Sequence, residues 1–459
     1  MKNIYIETYG CAANINNSEI LAGLLSQAGY NIINNELIAD IIILNTCVVK
    51  GKTENKIKRR IQDLKKSKKL TIITGCMPET DAKQIKQLNE NTILLGTHHF
   101  KEITKLLKDF KEDKLDWEKQ DYYLSEANEE KLNLPKKPVN SLISIIQISE
   151  GCLGDCTYCK TKLAKGKLFS YSFEKILSSI KSDLQNNAKE VWLTSQDLAS
   201  YGLDLQTKKC GVKEGAKPLA QDLASYGLDT KQKTQMLPQL LKEIISLPHK
   251  FKLRLGMMNP NYLYPILDEM IEIYRSPKAY KFLHIPIQSA SDKILKDMKR
   301  PYEIEKVNQI INKFKKEFPD ITIATDIIIG YPTETEKDFK ESLNFIQTHK
   351  PDVFNLSKFS SHKGTEVEKL KELSIETLNK RNTLIMKAHQ ETALENKQKF
   401  KDKTINALVS KKLQPQLYEA RDDNYNIVLI SSKDKTIFGK TKEVKINQIG
   451  VHHLIGEII

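Results

Sequence analysis

Three cysteines fall within one short run, Gly151-Cys152-Leu153-Gly154-Asp155-Cys156-Thr157-Tyr158-Cys159. A loop this tight, following an expected strand at Ser141–Ile148, can turn all three sulfurs towards one centre. Thiolates are ligands for zinc and for iron–sulfur clusters. Structural zinc takes a fourth Cys or His close by, and the first histidine after the loop is His249. A four-iron cube held by three thiolates keeps one iron open. That iron can bind the amine and carboxylate of a small molecule and pass it an electron.

A second set is spread over the first hundred residues. Cys11, Cys47 and Cys76 each stand just past an apolar run: Lys2–Thr8, Ile38–Leu44 and Leu70–Thr74. In a doubly wound parallel sheet the C-terminal ends of the strands share one edge, where ligand sites form. Three sulfurs spaced by about one strand–helix unit each can therefore converge. The plain alternative is three ordinary buried cysteines, which cores often contain. The seventh cysteine, Cys210, stands alone in a Lys- and Gly-rich stretch and is not expected to be a ligand. An odd number of cysteines in a long chain argues for metal or redox use over a disulfide framework.

The elements that would position these groups form three blocks. Strand–helix alternation over residues 1–105 predicts a small doubly wound parallel sheet, with helices at Ser18–Ala28 and Lys52–Lys66 and a fourth strand at Asn91–Leu95. Residues 106–140 are charged, end in Leu134-Pro135-Lys136-Lys137-Pro138 and are expected to be a helix plus linker. Alternation restarts over 141–395, with strands at Ser141–Ile148, Glu190–Thr194, Lys252–Leu255, Ala279–Ile285, Ile321–Ile328 and Val353–Phe359. That count suits an open or partial (β/α) barrel. Residues 396–459 carry short alternating stretches, Thr404–Val409, Asn426–Ser431, Lys435–Gly439 and Glu443–Gln448, as a small OB-like β-barrel would. The string Gln196–Asp204 recurs unchanged at Gln221–Asp229, which implies a local duplication lengthening one barrel loop at 205–229.

The net charge of +14 favours a polyanionic partner, nucleic acid ahead of membrane. A chain rich in Lys, Asn and Ile throughout can also owe that excess to base composition. No stretch reaches the apolar length of a membrane span, and the start has no signal-peptide core, so a cytoplasmic protein is expected.

The run Cys152–Cys159 resembles the radical S-adenosylmethionine signature, and the whole chain resembles the methylthiotransferases that modify tRNA. The contexts Thr8-Tyr9-Gly10-Cys11, Asn45-Thr46-Cys47 and Gly75-Cys76-Met77-Pro78 are similar to that family's N-terminal domain. The resemblance implies two [4Fe–4S] clusters, one at Cys152, Cys156 and Cys159, and one at Cys11, Cys47 and Cys76 for sulfur delivery. It also implies S-adenosyl-L-methionine as cofactor, with Tyr158 near its adenine and Ser195 and Gln196 facing it from the end of the second barrel strand. Polar residues at barrel strand ends line active sites, so Arg254, His284, Gln288 and Asp326 complete the expected cofactor-binding set. The C-terminal block resembles a TRAM domain, whose basic residues here (Lys399, Lys401, Lys403, Lys411, Lys412, Arg421, Lys440, Lys442 and Lys445) would contact tRNA phosphates; a merely solvated basic surface is the alternative.

Within the family, Cys159-Lys160-Thr161-Lys162-Leu163-Ala164-Lys165-Gly166 and Arg254–Pro260 look like the archaeal and eukaryotic branch. That branch implies conversion of N6-threonylcarbamoyladenosine at position 37, in the anticodon loop of ANN-decoding tRNA, to its 2-methylthio form. A flavodoxin- or ferredoxin-type electron donor is the expected second partner. Lys165 stands where the family usually has Arg, a change that would weaken a bidentate phosphate contact. Rival substrates are isopentenyladenosine in tRNA and a ribosomal-protein aspartate; a rival of another class is a non-catalytic iron–sulfur RNA-binding protein.

Overall fold

The computed structural model describes residues 2–67, 69–112, 123–124, 130–205 and 236–459. Cys210 and the second copy of the repeat lie outside the described residues. The chain divides into two compact units: Met1–Val139, Ile145–Ser179 and His362–Thr365 form one, and Asn140–Ser144, Ile180–Ser361 and Glu366–Ile459 the other.

The first unit is built on a parallel five-stranded sheet in the order β2-β1-β3-β4-β5. Its strands are β1 (Asn3–Thr8), β2 (Asn31–Ile33), β3 (Ile41–Thr46), β4 (Leu70–Gly75) and β5 (Thr92–Gly96). Helices α1 (Ala12–Gln27), α2 (Gly51–Lys65), α3 (Cys76–Leu88) and α4 (Ile103–Lys111) cover it. Alternation along the central strands decides which face each helix takes. Ile42, Leu44, Ile73 and Leu94 pack with Ile57 and Ile61 of α2 and Ile85 of α3. Ile41, Ile43, Ile72 and Ile93 pack with Leu21 and Leu25 of α1 and Leu106 and Leu107 of α4. Both faces are therefore apolar and covered, as a parallel sheet requires.

Helix α1 starts earlier than the Ser18 expected. Asn14, Asn16, Asn17 and Ser18 broke the apolar period, yet all are buried, and the bonds of Asn14 and Ser18 hold the strand ends. Asn14 Nδ2 donates to the carbonyls of Tyr9 (2.7 Å) and Thr46 (2.9 Å). Asn45 Nδ2 donates to Asn14 O and to Ser18 Oγ, each at 2.8 Å.

In the second unit, β9 (Glu190–Thr194) pairs parallel with β10 (Lys252–Leu255), and β11 (Phe282–His284), β12 (Thr322–Ile329) and β13 (Val353–Lys358) form a parallel set. Earlier in the chain come β6 (Ile143–Gln147) and the short β7 (Ser149–Glu150) and β8 (Phe169–Ser170). A closed barrel of β14 (Thr404–Gln414), β15 (Leu417–Asp422), β16 (Ile427–Ser431), β17 (Thr441–Ile449) and β18 (Leu454–Ile458) ends the chain. The strand expected at Lys435–Gly439 is instead a 3₁₀ turn at Lys435–Ile437. Asp434 bends the backbone there by accepting from Thr436 N at 2.8 Å, a local bond that competes with sheet pairing.

Candidate functional site

The run Gly151–Cys159 is closed at its base by β7 and β8, which pair antiparallel with Glu150 opposite Phe169. Cys152 N donates to Gly166 O at 3.3 Å. Gly151 has φ +67°, and a Cβ there would lie 1.9 Å from the Lys167 carbonyl oxygen, so only glycine lets the loop pass. Inside the turn, a Cβ on Gly154 would stand 3.5 Å from Cys152 Sγ and 3.8 Å from Cys156 Sγ. Two of the sulfurs thus face a cradle kept free of side chain. The third, Cys159, caps helix α5 (Lys160–Lys165). Its sulfur accepts from Lys162 N at 3.4 Å, and Cys152 Sγ accepts from Gly154 N at 3.3 Å. Backbone N–H groups aimed at sulfur favour the thiolate, and the Lys162 ammonium donates to the Cys152 carbonyl. The donor set suits an iron–sulfur cluster.

Cys11, Cys47 and Cys76 also belong to the first unit. Cys11 is exposed, the other two buried. A Cβ on Gly10 would meet Cys47 Cβ at 2.8 Å and Cys47 Sγ at 3.0 Å, so the first strand end runs directly against the second cysteine. Thr46 ties the next two together: its hydroxyl donates to Thr74 O at 2.6 Å and accepts from Met77 N at 3.1 Å. Burial pushes the Cys76 thiol up to about 12, with the Lys165 ammonium opposing and the Cys47 and Cys11 charges adding. Burial likewise lifts Cys47 to about 11. A bound metal reverses that balance, because a coordinating thiol loses its proton outright. Among the described residues no three His, Cys, Asp or Glu side chains close on one point as ligands of a single ion would; thiolates on a cube bind separate irons at separate corners.

Sequence reasoning missed a set of buried charges behind the loop. Lys160, Lys165, Lys131 and Glu150 are all buried. Glu150 accepts from Lys131 Nζ at 2.5 Å and from Tyr171 Oη at 2.8 Å. Burial opposes its charge, but Lys131 and Lys165 hold the carboxyl down at about 2. Lys165 Nζ donates to Thr97 Oγ1 and lies 3.9 Å from Glu150 Oε2. Both ammonium groups of the Lys162–Lys165 segment are engaged inside the unit, Lys162 at the Cys152 carbonyl and Lys165 at Thr97. The burial of Glu150, a carboxylate just before the cysteine loop, is not visible in sequence spacing.

The strand-end set lies in the second unit, whereas Tyr158, half-buried, lies with the cysteines in the first. His284 Nε2 and Asp326 Oδ2 are 2.5 Å apart. Gln288 adopts φ +68°, held by its N–H to Asp326 O at 2.8 Å and by Ile328 N to its own carbonyl at 2.9 Å. Strained backbone of this kind persists where surrounding bonds enforce it. Ser195 Oγ and Gln196 Oε1 are buried oxygens with no hydrogen-bond partner among the described residues. The Arg254 guanidinium carbon is 5.3 Å from the Phe282 ring centre and 5.9 Å from those of Trp192 and Tyr425. Arg421, counted among the basic barrel surface, joins the same aromatic group, 4.1 Å from Tyr425, and pairs with Glu419 at 2.7 Å. That residue is not presented to a phosphate, while Lys401, Lys403, Lys411, Lys412, Lys440 and Lys445 are exposed.

Asp197, three residues past the end of β9, caps a 3₁₀ turn at Leu198–Ser200. Its Oδ1 accepts from Asn259 N (2.9 Å) and Ala199 N (3.1 Å), and Oδ2 has no partner. Burial lifts the carboxyl to about 7. A proton held more tightly in the folded state makes stability fullest below the ordinary Asp range and lost as pH rises through about 7. Asp197→Asn keeps the acceptor and has no charge to bury. The variant apoprotein is expected to lose this slope and to be more stable at pH 8, by about 1.4 kcal/mol for each pKa unit removed. Denaturant midpoints between pH 4 and 8 test this; parallel wild-type and variant curves would refute it.

Two family profiles match the chain: "Uncharacterized protein family UPF0004" over residues 3–96 and "Radical SAM superfamily" over residues 146–346. The probable threonylcarbamoyladenosine tRNA methylthiotransferase of Pyrococcus horikoshii is 33% identical over 464 residues, covering 100% of both chains. The Homo sapiens threonylcarbamoyladenosine tRNA methylthiotransferase is 31% identical, covering 100% of this chain and 74% of its own. Among solved structures, the radical S-adenosylmethionine methyltransferase TsrM of Kitasatospora setae superposes with a TM-score of 0.53 at 11% identity, over 80% of this chain and 74% of that one. The cobalamin-dependent radical enzyme OxsB gives 0.52 at 12% identity, over 84% and 56%. These two show the fold, an α/β Radical SAM architecture. With end-to-end similarity at this level and a Radical SAM profile that spans the CxxxCxYC loop, the chain belongs to the threonylcarbamoyladenosine tRNA methylthiotransferase family of Radical SAM proteins.

Proposed function

We propose that this protein is a tRNA methylthiotransferase that converts N6-threonylcarbamoyladenosine at position 37 to its 2-methylthio derivative. The observation that carries the proposal is the presence of both cysteine sets in one unit of a chain matched end to end by relatives of that name. Cys152, Cys156 and Cys159 hold one [4Fe–4S] cluster, and Cys11, Cys47 and Cys76 hold a second. With S-adenosylmethionine bound, the site at Cys152, Cys156 and Cys159 would supply the radical chemistry needed at carbon 2 of the adenine.

The chain's own residues do the rest. Gly154 leaves room for the cluster, and the N–H groups of Gly154 and Lys162 steady two of its sulfurs. Tyr158, Ser195, Gln196, Arg254, His284, Gln288 and Asp326 are the proposed cofactor contacts, of which His284 and Asp326 fix one another. The N-terminal domain ends near residue 105 and is joined through 106–140 to a barrel domain of 141–395. Residues 396–459 contribute the exposed lysines for the tRNA backbone. An adenine in an anticodon loop is unpaired, so the ring is reached without melting a duplex. The electron donor is of flavodoxin or ferredoxin type, and the site of action is the cytoplasm; no described helix is long and apolar enough to cross a membrane.

The test offers reconstituted enzyme four substrates side by side: tRNA bearing threonylcarbamoyladenosine, the same tRNA without that group, isopentenylated tRNA and the ribosomal protein. Mass spectrometry of the digests is expected to find a methylthio group on the first alone. Reaction with either of the last two would overturn the substrate, and no reaction with any would favour the non-catalytic RNA-binding alternative.

A further inference from the structure

Helix α5 begins at the residue after the third cysteine of the loop, and that residue is a buried lysine. Lys160 Nζ lies 2.6 Å from Asp81 Oδ2 and 3.2 Å from Glu54 Oε2, with only 3% of the Lys160 side chain exposed. Glu54 sits on α2, the helix that follows Cys47; Asp81 sits on α3, the helix that opens with Cys76. One ammonium therefore joins the start of α5 to α3, which opens with Cys76, and to α2, which follows Cys47.

The partners are themselves held. Glu54 Oε1 takes Lys58 at 2.7 Å, and His362 Nδ1 approaches Oε2 at 3.6 Å. Asp81 Oδ2 also accepts from Thr80 Oγ1 at 2.7 Å, at the point where α3 departs from helical geometry (φ −134°, ψ 27°). Around this pin the packing is apolar: Ala164 of α5 shares a core with Cys47, Cys76, Ile57 and Met77. Apolar contact alone would hold α5 in place. A buried ion pair adds little net stability, because desolvating the charges offsets their attraction. What it adds is a preferred geometry, since an ammonium between two carboxylates loses contact when either helix slides.

We infer that Lys160, with Glu54 and Asp81, is a positioning residue that sets the register between the two cysteine sites. The inference rests on the two-cluster reading above. Sulfur must leave one site and reach the carbon activated at the other, and misplacement on the ångström scale costs on the order of 100-fold in a reaction of this kind. A register error would spare cofactor cleavage, which does not draw on the Cys11, Cys47 and Cys76 site, and would penalise transfer.

The experiment compares reconstituted wild type with Glu54→Gln/Asp81→Asn, Lys160→Met and Lys160→Arg. The double variant leaves the neighbour of Cys159 untouched and keeps an acceptor oxygen at each position. Three quantities are read: iron per chain, the spin–spin interaction between the two reduced clusters by electron paramagnetic resonance, and methylthio product formed per 5′-deoxyadenosine. The double variant and Lys160→Met are expected to keep full iron and wild-type 5′-deoxyadenosine formation. Their spin–spin interaction should change, and product per 5′-deoxyadenosine should fall about tenfold or more; Lys160→Arg should recover most of both. An unchanged spin interaction and product ratio would overturn the inference. Loss of iron in the double variant would also overturn it, by showing that the charges serve to build a cluster site. Wild-type protein carrying iron for one cluster only would end the two-cluster reading itself, which is a separate result from either.

Discussion

Cys156→Ala is expected to abolish 5′-deoxyadenosine formation and to remove about half of the iron from the reconstituted protein, because two thiolates cannot hold a cube securely. Cys156 is the middle cysteine of the loop, and its sulfur and that of Cys152 both face the position of Gly154. The substitution removes the sulfur and closes nothing, since Cβ remains where it was. Fold should therefore survive: the β7–β8 pairing and the Cys152 N–H to Gly166 O bond do not involve this side chain. Iron content, cofactor cleavage and far-ultraviolet circular dichroism measured together separate loss of a ligand from loss of the fold. Unchanged iron with unchanged cleavage would sink the assignment of this loop as the radical site.

The cysteines were legible because each stands where an apolar run stops, and the runs of a buried parallel sheet are the plainest signal a sequence carries. Ile41–Leu44 and Leu70–Ile73 announce their strands through apolar, β-branched content alone. Other features depend on partners far away in the chain. Lys160 and Lys165 look like the solvated face of a basic helix, and only Glu54, Asp81, Thr97 and Glu150, from four separate segments, turn them into buried groups. Asn14 and Ser18 fail the apolar period for the opposite reason: the Asn14 amide satisfies backbone carbonyls at the strand ends and the Ser18 hydroxyl accepts from the Asn45 side chain, so polar side chains occupy core positions. Arg421 reads as a phosphate contact. It belongs instead to an aromatic group with Trp192 and Tyr425, which Arg254 also joins, and no pattern within one strand reveals that. The TRAM-like barrel was recognisable by its short alternating strands, but β15 and β18, which close it, were not expected. Their sequences LYEARD and LIGEI alternate over too few positions to stand out from a loop.

Replacing Cys11, Cys47 and Cys76 together by alanine is expected to give an enzyme that still cleaves S-adenosylmethionine yet forms no methylthiolated nucleoside. The separation follows from where the side chains are anchored. The Cys152–Cys159 loop is fixed by β7, β8 and α5, and the contacts of Lys160 and Lys165 reach Glu54, Asp81, Thr97 and Glu150, none of which is a cysteine. Removing three sulfurs therefore leaves that frame standing. Cys47 and Cys76 are core residues, so truncation costs some stability, about 1 kcal/mol for each buried position on the scale of a deleted buried group. The same variant with serine at all three positions controls for shape. Cleavage is followed as 5′-deoxyadenosine per enzyme, transfer as 2-methylthio nucleoside in the tRNA digest. Product at the wild-type rate would mean that sulfur is not delivered from the N-terminal site. Loss of cleavage along with product, in a protein that remains folded, would mean that the two sites work as one cluster-bearing centre instead of two with divided labour.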